Sequence, residues 1–550
     1  MRKSILFLFF IFALFFSWNF PVDKNYFRCS FPYFNQIFYS QYKFESSFGE
    51  SEITFPKKKI LTLRECVYLA ISNNLDLKIE KLNVENSVSN FFKAQSTFEP
   101  YLENKFYYKR NVTPSPSVFQ GVGSSKTRET YYSSSFVKKF STGALFNFTF
   151  ETKKMDTNNI FFLINPAYNT TLSMFITQPL LKGGGFDVNK EGIYIARNNI
   201  EESKEKYRDR VEEVILNVVK NYYDILVYQK NVELAKKRVE LARKTLNDVK
   251  IQVKAGVRPL VDEKKAEAEF YRQEENLIEV ENNLKKLKSS FLTILFPFED
   301  VEKYVDYFNL KDEKNDLSFP EYQEAKELAL KNRGDLKAIS LELKNSKLDL
   351  KVKKKNLKPN LDLTLGYFQY GLKGNVPDLS NFPFHINPGT QEALEKNYSG
   401  GISDSIGNAF RGKYNGFTVQ FDFKIPIGNK YAKAEAVSSE INYHKALYQL
   451  KDIRQKINLE LRNIFRDIEK DKKKILMAER ELEAAKEELR GEELKFKYEI
   501  STLRDLIDAQ NKYISARLNY FSSRKEFEKN IFTLYRLTST ICDKFNVKFK

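Results

Sequence analysis

The chain has 550 residues, of which 29% are charged and 42% are hydrophobic, a balance that excludes a disordered chain and a bundle of inner-membrane helices. It has 21 Gly and 16 Pro, few for this length, which favours long uninterrupted helices. The formal net charge is +18, but Lys is interspersed with Glu along the predicted helices. We interpret this as a solvated surface and expect no nucleic-acid partner.

The N-terminus has the pattern of an export signal. Two basic residues precede an apolar run over residues 5–16, which is too short to span a bilayer. We predict a signal peptide over residues 1–19, although no A-x-A motif marks the cleavage position. The segment 20–59, rich in Tyr and Phe, is an N-terminal extension without an assigned role. The residues before Cys29 do not form a lipidation motif, so we expect this cysteine to carry no lipid.

The sequence contains no arrangement of residues suited to catalysis. Cys29, Cys66 and Cys542 lie far apart and lack the spacing of metal ligands. His385 and His444 stand in unrelated contexts and belong to no triad. We therefore expect no catalytic residue, no metal and no cofactor, and we predict that the chain is not an enzyme.

The chain is an internal duplication. Residues 65–108 resemble residues 324–367 at a constant spacing of 259. A second block, 235–266, resembles 478–509 at a spacing of 243, so the first half contains extra residues, which we place near 110–190. Each half runs helix, strands, long helix, tip and long helix. The predicted divisions are a first repeat over 60–309, a second repeat over 310–541 and a C-terminal tail over 542–550.

Long helical hairpins with a coiled-coil seam are predicted in both halves. From Ile225 to Val253, apolar or small residues recur at alternating steps of three and four, the period of a left-handed coiled coil. No proline interrupts residues 199–255, enough for roughly 80 Å of helix. Turns are predicted at Gly256 and near residues 499–502, and each is followed by a returning helix.

Strands are predicted between the helices. Pro100 and Pro359 each end a helix, and segments of alternating apolar and polar residues follow, most clearly over 417–425. This period is typical of a membrane β-strand, and also of a soluble sandwich. One chain offers four to six such strands, too few to close a barrel, so the chain must oligomerise if they enter a bilayer. The stretches 111–125 and 371–416 are predicted to be loops.

These features resemble the TolC-type outer membrane efflux protein family over about residues 60–540. The motifs that carry the resemblance are Leu61-Thr62-Leu63 leading into Glu65, Ala70 and Asn73-Asn74; Pro100 and Pro359; Thr177-Gln178-Pro179-Leu180-Leu181 with the following glycines; and the tips Gly256, Asp262, Ala266 and Leu503, Asp505, Asp508-Ala509. The resemblance implies an α+β membrane protein and a homotrimer. Each chain would give four strands to a shared twelve-stranded β-barrel, and its helical hairpins would form an α-barrel. Glu499 and Ser501 depart from the pattern at the second tip, and the region 126–152 is expected to allow an additional strand hairpin.

The resemblance also implies a function. The family forms the outer-membrane exit duct of tripartite efflux pumps and type I secretion systems, embedded in outer-membrane lipid and extending into the periplasm. Its partners are a periplasmic adaptor protein and an inner-membrane transporter. The residues leave open the alternative of a periplasmic coiled-coil adaptor or scaffold, although adaptors usually carry one hairpin and this chain has two. The transported substrate is not indicated.

The candidate site lies at the hairpin tips. Asp505 and Asp508 are three residues apart on one helical face, and we expect them, with Asp262, to form acidic rings at the periplasmic entrance of a trimer. Mutual repulsion is expected to raise their pKa values and to attract cations. An iris-like rotation of the hairpins would open this entrance. The tip residues expected to contact the adaptor are Gly256, Val257, Arg258, Leu260, Ser501, Thr502 and Leu503.

Overall fold

A computed structural model describes residues 60–114, 123–297, 299–313, 317–378, 387–498 and 500–547, all within one compact unit. Outside the described residues lie the predicted signal peptide, the N-terminal extension with Cys29, His385, Glu499 and residues 548–550 of the predicted tail.

Helices make up most of the structure. They are α1 (Leu63–Asn73), α2 (Leu75–Gln95), α3 (Glu191–Lys254), α4 (Leu260–Leu295), α5 (Tyr322–Asn332), α6 (Gly334–Lys355), α7 (Pro388–Tyr398), α8 (Ile402–Arg411), α9 (Lys430–Lys497) and α10 (Leu503–Leu537). Short helical turns occur at Ser96–Phe98, Phe186–Asn189, Val301–Lys303 and Ile541–Lys544. Helices α3 and α9 have 64 and 68 residues, about 100 Å each at 1.5 Å per residue.

The element positions confirm the duplication. Helices α1 and α2 and the strand that follows begin at residues 63, 75 and 101, and their counterparts begin at 322, 334 and 360, each 259 residues later. At the start of α1, the hydroxyl of Thr62 accepts a hydrogen bond from the Glu65 N–H at 3.3 Å, and the Glu65 carboxylate accepts one from the Thr62 N–H at 2.8 Å. This capping box is the physical basis of the Thr62–Glu65 motif.

The strands form one antiparallel sheet. They are β1 (Tyr101–Pro114), β2 (Ser124–Lys139), β3 (Leu145–Thr157), β4 (Ala167–Pro179), β5 (Asn360–Gly374) and β6 (Tyr414–Lys424), and their order in the sheet is β1-β2-β3-β4-β5-β6. The six strands exceed the four that the resemblance implied, because the hairpin β2–β3 is inserted between β1 and β4. A separate parallel pair joins Ile60–Leu61 to Asn309–Leu310.

In the half of the sheet nearer to the long helices, the register separates an apolar face from a polar face. Residues directly opposite each other on paired strands share a face. One row across the whole sheet consists of Leu102, Phe136, Phe148, Met174, Tyr367 and Phe417. The next row on the opposite face consists of Glu103, Ser135, Thr149, Ser173, Phe368 and Gly416. We call these two sides the apolar face and the polar face.

The stretch 371–416, predicted to be a loop, contains the ends of two strands and the helices α7 and α8. Helix α8 packs on β4 and β5. A Cβ on Gly371 would lie 2.0 Å from the Ser405 carbonyl oxygen, so glycine is required at this contact. Gly371 is opposite Thr170 in the register, and the Ser405 hydroxyl lies 3.0 Å from the Thr170 hydroxyl. Both residues belong to the apolar face, so α8 lies on that side of the sheet.

The long helices form a layer with two open edges. Near the sheet the packing order is α2-α3-α6-α9, and toward the tips it is α4-α3-α10-α9. The predicted seam is buried along α3, at Ile225, Val232, Ala235, Val239, Ala242, Leu246 and Val249. Asp471, which interrupts the seam of α9, is buried and accepts a hydrogen bond from the Asn530 amide of α10 at 2.6 Å. The buried carboxylate therefore has a hydrogen-bond partner within its own hairpin.

The main core lies beside α3, where both ends of the described chain meet it. Its largest members include Tyr222, Tyr223, Phe291, Phe308 and Tyr535. The phenol of Tyr222 donates a hydrogen bond to the Lys311 carbonyl at 2.5 Å. Cys66 and Cys542 are free thiols in this core, and burial raises the pKa of both.

A buried carboxylate lies where the sheet region joins the helical layer. Glu191 is in the first turn of α3, and its Oε1 atom is buried without a hydrogen-bond partner. Burial, together with the nearby Asp349 carboxylate, raises its pKa to about 7, although Lys353 opposes the shift. The Ser439 hydroxyl donates to Asp349 at 2.6 Å, and Glu435 pairs with Lys353. Folding therefore favours protonated Glu191.

We expect Glu191→Gln to stabilise the protein at pH 8 and to have no effect at pH 4.5. Because the folded pKa of about 7 lies above the unfolded value of 4.5, stability falls as the pH rises between these values and is constant above them. The amide removes this penalty. Thermal denaturation of the purified oligomer at both pH values measures the effect, with exposed Glu487→Gln as the control. An equal gain in thermal stability at pH 4.5 would contradict the raised pKa of Glu191.

Candidate gate at the hairpin tips

The first tip is a tight helix-ending turn. Gly256 has a φ of 70°, a conformation that favours glycine. Its N–H donates to the Val253 carbonyl at 3.0 Å, and the Val257 N–H donates to the Gln252 carbonyl at 2.9 Å. This pattern satisfies the last carbonyls of α3 and reverses the chain, so that α4 begins at Leu260. The sequence prediction of a turn at Gly256 is confirmed.

Arg258 connects the two tips within one chain. Its guanidinium lies over the ring of Phe496, at the end of α9, 4.4 Å from the ring centroid. Its Nε donates to the Gln252 side chain at 2.8 Å, and its Nη1 lies 3.7 Å from the Asp262 carboxylate. The side chain is only 12% exposed. Arg258 is thus a contact between hairpins, and little of it is accessible to a partner protein.

A small apolar cluster lies directly beneath both tips. It contains Leu246, Val249, Ala266, Leu489, Phe496, Leu503, Leu506 and Ala509, drawn from all four hairpin helices. Leu503, expected from the sequence to contact the adaptor, is buried in this cluster. Its side chain stabilises the tip from inside. Thr502, next to it, is exposed, whereas the Ser501 hydroxyl oxygen is buried.

The two aspartates of the second tip have different environments. The Asp505 carboxylate accepts hydrogen bonds from the Thr502 hydroxyl at 2.6 Å and from the Thr502 N–H at 3.1 Å. Within one chain, these bonds lower the pKa of Asp505. The carboxylate of Asp508 is exposed and lies 3.7 Å from the Arg504 Nε. Within one chain, Asp505 caps α10 and Asp508 is the more accessible charge.

Asp262 is largely enclosed by basic side chains of its own hairpin. Its carboxylate oxygens lie 3.7 Å from Arg258 and 3.6 Å from Lys265, and the side chain is 20% exposed. Since both cations stand on the same turn, the local charge around Asp262 is not net negative. The three aspartates predicted from the sequence are thus all at the tips, but in three different electrostatic settings.

Sequence reasoning identified Val257 and Leu260 at the tips but missed the apolar residues beside them, Val261, Tyr498 and Ile500. Ile500 is 75% exposed and Tyr498 is 69% exposed, and Val257, Leu260 and Val261 of the first tip are also exposed. We call these five residues the apolar tip surface. The sequence did contain a signal for this surface, because these large apolar residues lie in or beside the turns and are out of phase with the heptad seam. Such exposed groups of apolar residues commonly mark interaction sites.

The comparisons with known proteins agree with this architecture. The sequence profile of the family described as outer membrane efflux protein matches residues 146–290. The resemblance to the TolC-type outer membrane efflux family is confirmed. The match to the efflux family spans β3, β4, α3 and most of α4, which includes the first tip.

Solved channels have the same fold. The outer-membrane channel OprN aligns with 87% of this chain and 90% of its own, at 15% identity and a TM-score of 0.60. VceC of Vibrio cholerae aligns with 86% of this chain and 96% of its own, at 10% identity and a TM-score of 0.59. The open state of MtrE from Neisseria gonorrhoeae aligns with 87% of this chain and 89% of its own, at 16% identity and a TM-score of 0.56. No curated protein sequence matches the chain.

Two further findings concern the described residues alone. None of their helices contains an apolar stretch long enough to cross a membrane. No group of three His, Cys, Asp or Glu side chains among them is placed to hold a metal ion.

Proposed function

We propose that this protein is the outer-membrane exit duct of a tripartite efflux pump or a type I secretion system. It is a passive homotrimeric conduit rather than an enzyme, with its sheet in the outer membrane and its hairpins in the periplasm. One observation carries the proposal: a sheet with one apolar face and two open edges continues into a helical layer that also has two open edges.

The open edges of the two layers belong to the same stretches of chain. Helix α2 leads into edge strand β1, and edge strand β6 leads into α9. A neighbouring copy that pairs with β1 therefore also reaches α2, and repetition of this head-to-tail contact closes a ring. Exposed apolar residues along these edges supply the contact surface, namely Ile79 and Leu82 on α2, Ile278 on α4, and Ile441, Tyr448 and Leu459 on α9.

The apolar face weighs against the alternative of a soluble periplasmic scaffold. Phe417, Phe421 and Phe423 of β6 are all more than half exposed. Exposure of such a face to water costs free energy and favours aggregation, whereas the same face is stable in contact with lipid. The backbone groups of the edge strands likewise require a partner in a bilayer, and closure with other copies supplies it.

The gate of this duct is proposed to lie at the tips. Asp508 supplies an exposed carboxylate from each chain, and Asp505 adds charge at the first turn of α10. Rings of carboxylates in a narrow entrance select cations. Opening requires the hairpins to slide past one another, which would break the stacking of Arg258 on Phe496.

The partners are proposed to be a periplasmic adaptor, bound at the apolar tip surface, and through it an inner-membrane transporter. The apolar tip surface and the adjacent Thr502 are exposed in the chain. An adaptor with helical tips can cover these residues, whereas Leu503 and Arg258 act from inside.

Fractionation tests the proposed location and assembly. We expect detergent-extracted, heat-modifiable trimers in the outer-membrane fraction, because closed membrane barrels resist unfolding until heated. Recovery as a soluble periplasmic species would favour the scaffold instead.

Single-channel recording tests the acidic entrance. We expect Asp505→Asn with Asp508→Asn to weaken cation selectivity and block by multivalent cations. Asp508→Asn alone should produce most of the effect, since the Asp505 carboxylate is already engaged by Thr502. Reversal potentials in a KCl gradient provide the measurement, with Asp467→Asn, distant on α9, as the control. Unchanged selectivity in the double variant would reject the entrance ring.

Site-specific crosslinking tests the adaptor contact. A photoreactive residue at Ile500 or Thr502 is expected to capture a periplasmic protein bearing a helical hairpin. The same residue at buried Leu503 should capture none. Capture at neither exposed position would count against docking at the tips.

A further inference from the structure

Strand β3 of the inserted hairpin β2–β3 has a two-faced pattern, in which Phe146, Phe148 and Phe150 alternate with polar residues. Phe136 of β2 and Phe148 of β3 stand side by side in the apolar row, between Leu102 of β1 and Met174 of β4. Ser135 and Thr149, each next to one of these phenylalanines in the chain, lie opposite each other on the polar face. Their hydroxyls are 2.9 Å apart. A hairpin folded away from the membrane has no reason to continue both faces of the sheet.

The number of strands sets the circumference of the barrel. Strands 4.8 Å apart and tilted by about 40° each cover about 6 Å of a barrel's circumference. Six strands therefore cover about 38 Å, whereas four cover about 25 Å.

We propose that both strands of the inserted hairpin span the membrane, so that each chain contributes six strands to the barrel. In the trimer of the proposed function, on which this number rests, the barrel has eighteen strands. Its diameter would then be about 36 Å between backbones, against about 24 Å for twelve strands.

The consequence is a wide exit. After allowance for side chains, an eighteen-stranded barrel leaves a clear bore of about 25 Å. Helix α8 does not narrow it, because α8 lies against Gly371 on the apolar face, outside the bore. The duct thus suits bulky cargo such as polypeptide with helical or compact structure, in addition to small solutes.

A pair of adjacent substitutions tests whether the hairpin is in the membrane. Phe148→Arg places a charge on the apolar face, and Thr149→Arg places it on the polar face. We expect Phe148→Arg to lower the amount of heat-modifiable oligomer in the outer membrane at least about 10-fold, since charge facing lipid blocks barrel assembly. Thr149→Arg should stay within about 2-fold of the unchanged protein. Equal tolerance of both would overturn the proposal.

Imaging of the purified oligomer by cryo-electron microscopy counts the strands directly. Eighteen strands around three chains support the proposal, and twelve strands with the hairpin outside the barrel overturn it. Six strands per chain in an oligomer of another size would support the strand contribution while rejecting the trimer of the proposed function.

The bore is tested by polymer exclusion in planar bilayers. Polyethylene glycols are added on the extracellular side, and the largest one that enters is found from the change in conductance. A variant in which residues 114–166 are replaced by Asn-Gly joins β1 directly to β4 as a hairpin, with Thr113 and Ala167 opposite each other on the polar face. We expect a cut-off of about 25 Å for the full chain and about 15 Å for this variant. Equal cut-offs would reject the wider exit.

Discussion

An open strand edge in a bilayer leaves backbone N–H and carbonyl groups without hydrogen bonds, and lipid supplies none. The described sheet ends at β1 and β6, each paired on one side only. Because β1 follows α2 and β6 precedes α9, whatever closes the sheet also closes the helical layer. Because of the duplication, two copies of one hairpin unit form a segment whose two edges, α2 with β1 and α9 with β6, are complementary. In the proposed outer-membrane location, the architecture therefore requires oligomerisation.

In the proposed duct, the tips have two roles that require the same residues. A hairpin about 100 Å long must hold its end in register, and Arg258, Leu503 and Asp505 do so by stacking, burial and capping. A gate must also expose charge and contact surface, which Asp508 and Ile500 retain. The division of roles explains why spacing alone did not separate the structural residues from the accessible ones. Both kinds occur within a single turn of helix.

In the proposed assembly, one insertion in the sheet region changes a property of the whole barrel. In the first half, β1 and β4 correspond to β5 and β6 of the second, and the hairpin between them is additional. A hairpin is easily accommodated at this position because it enters and leaves on the same side of the sheet. Barrel circumference rises with every strand, so repetition of one insertion in each chain would widen the entire exit.

By itself, the sequence determined the duplication, the helical hairpins, the turn at Gly256 and the alternation of β6, because each depends on local period or on a residue that breaks it. It also indicated that the region 126–152 allowed an additional hairpin. The tertiary structure decided the rest. Strand β2 has three consecutive serines, so only pairing with β1 and β3 reveals its faces. The burial of Leu503 and the stacking of Arg258 depend on residues about 250 positions away in the chain, and no local pattern encodes such contacts.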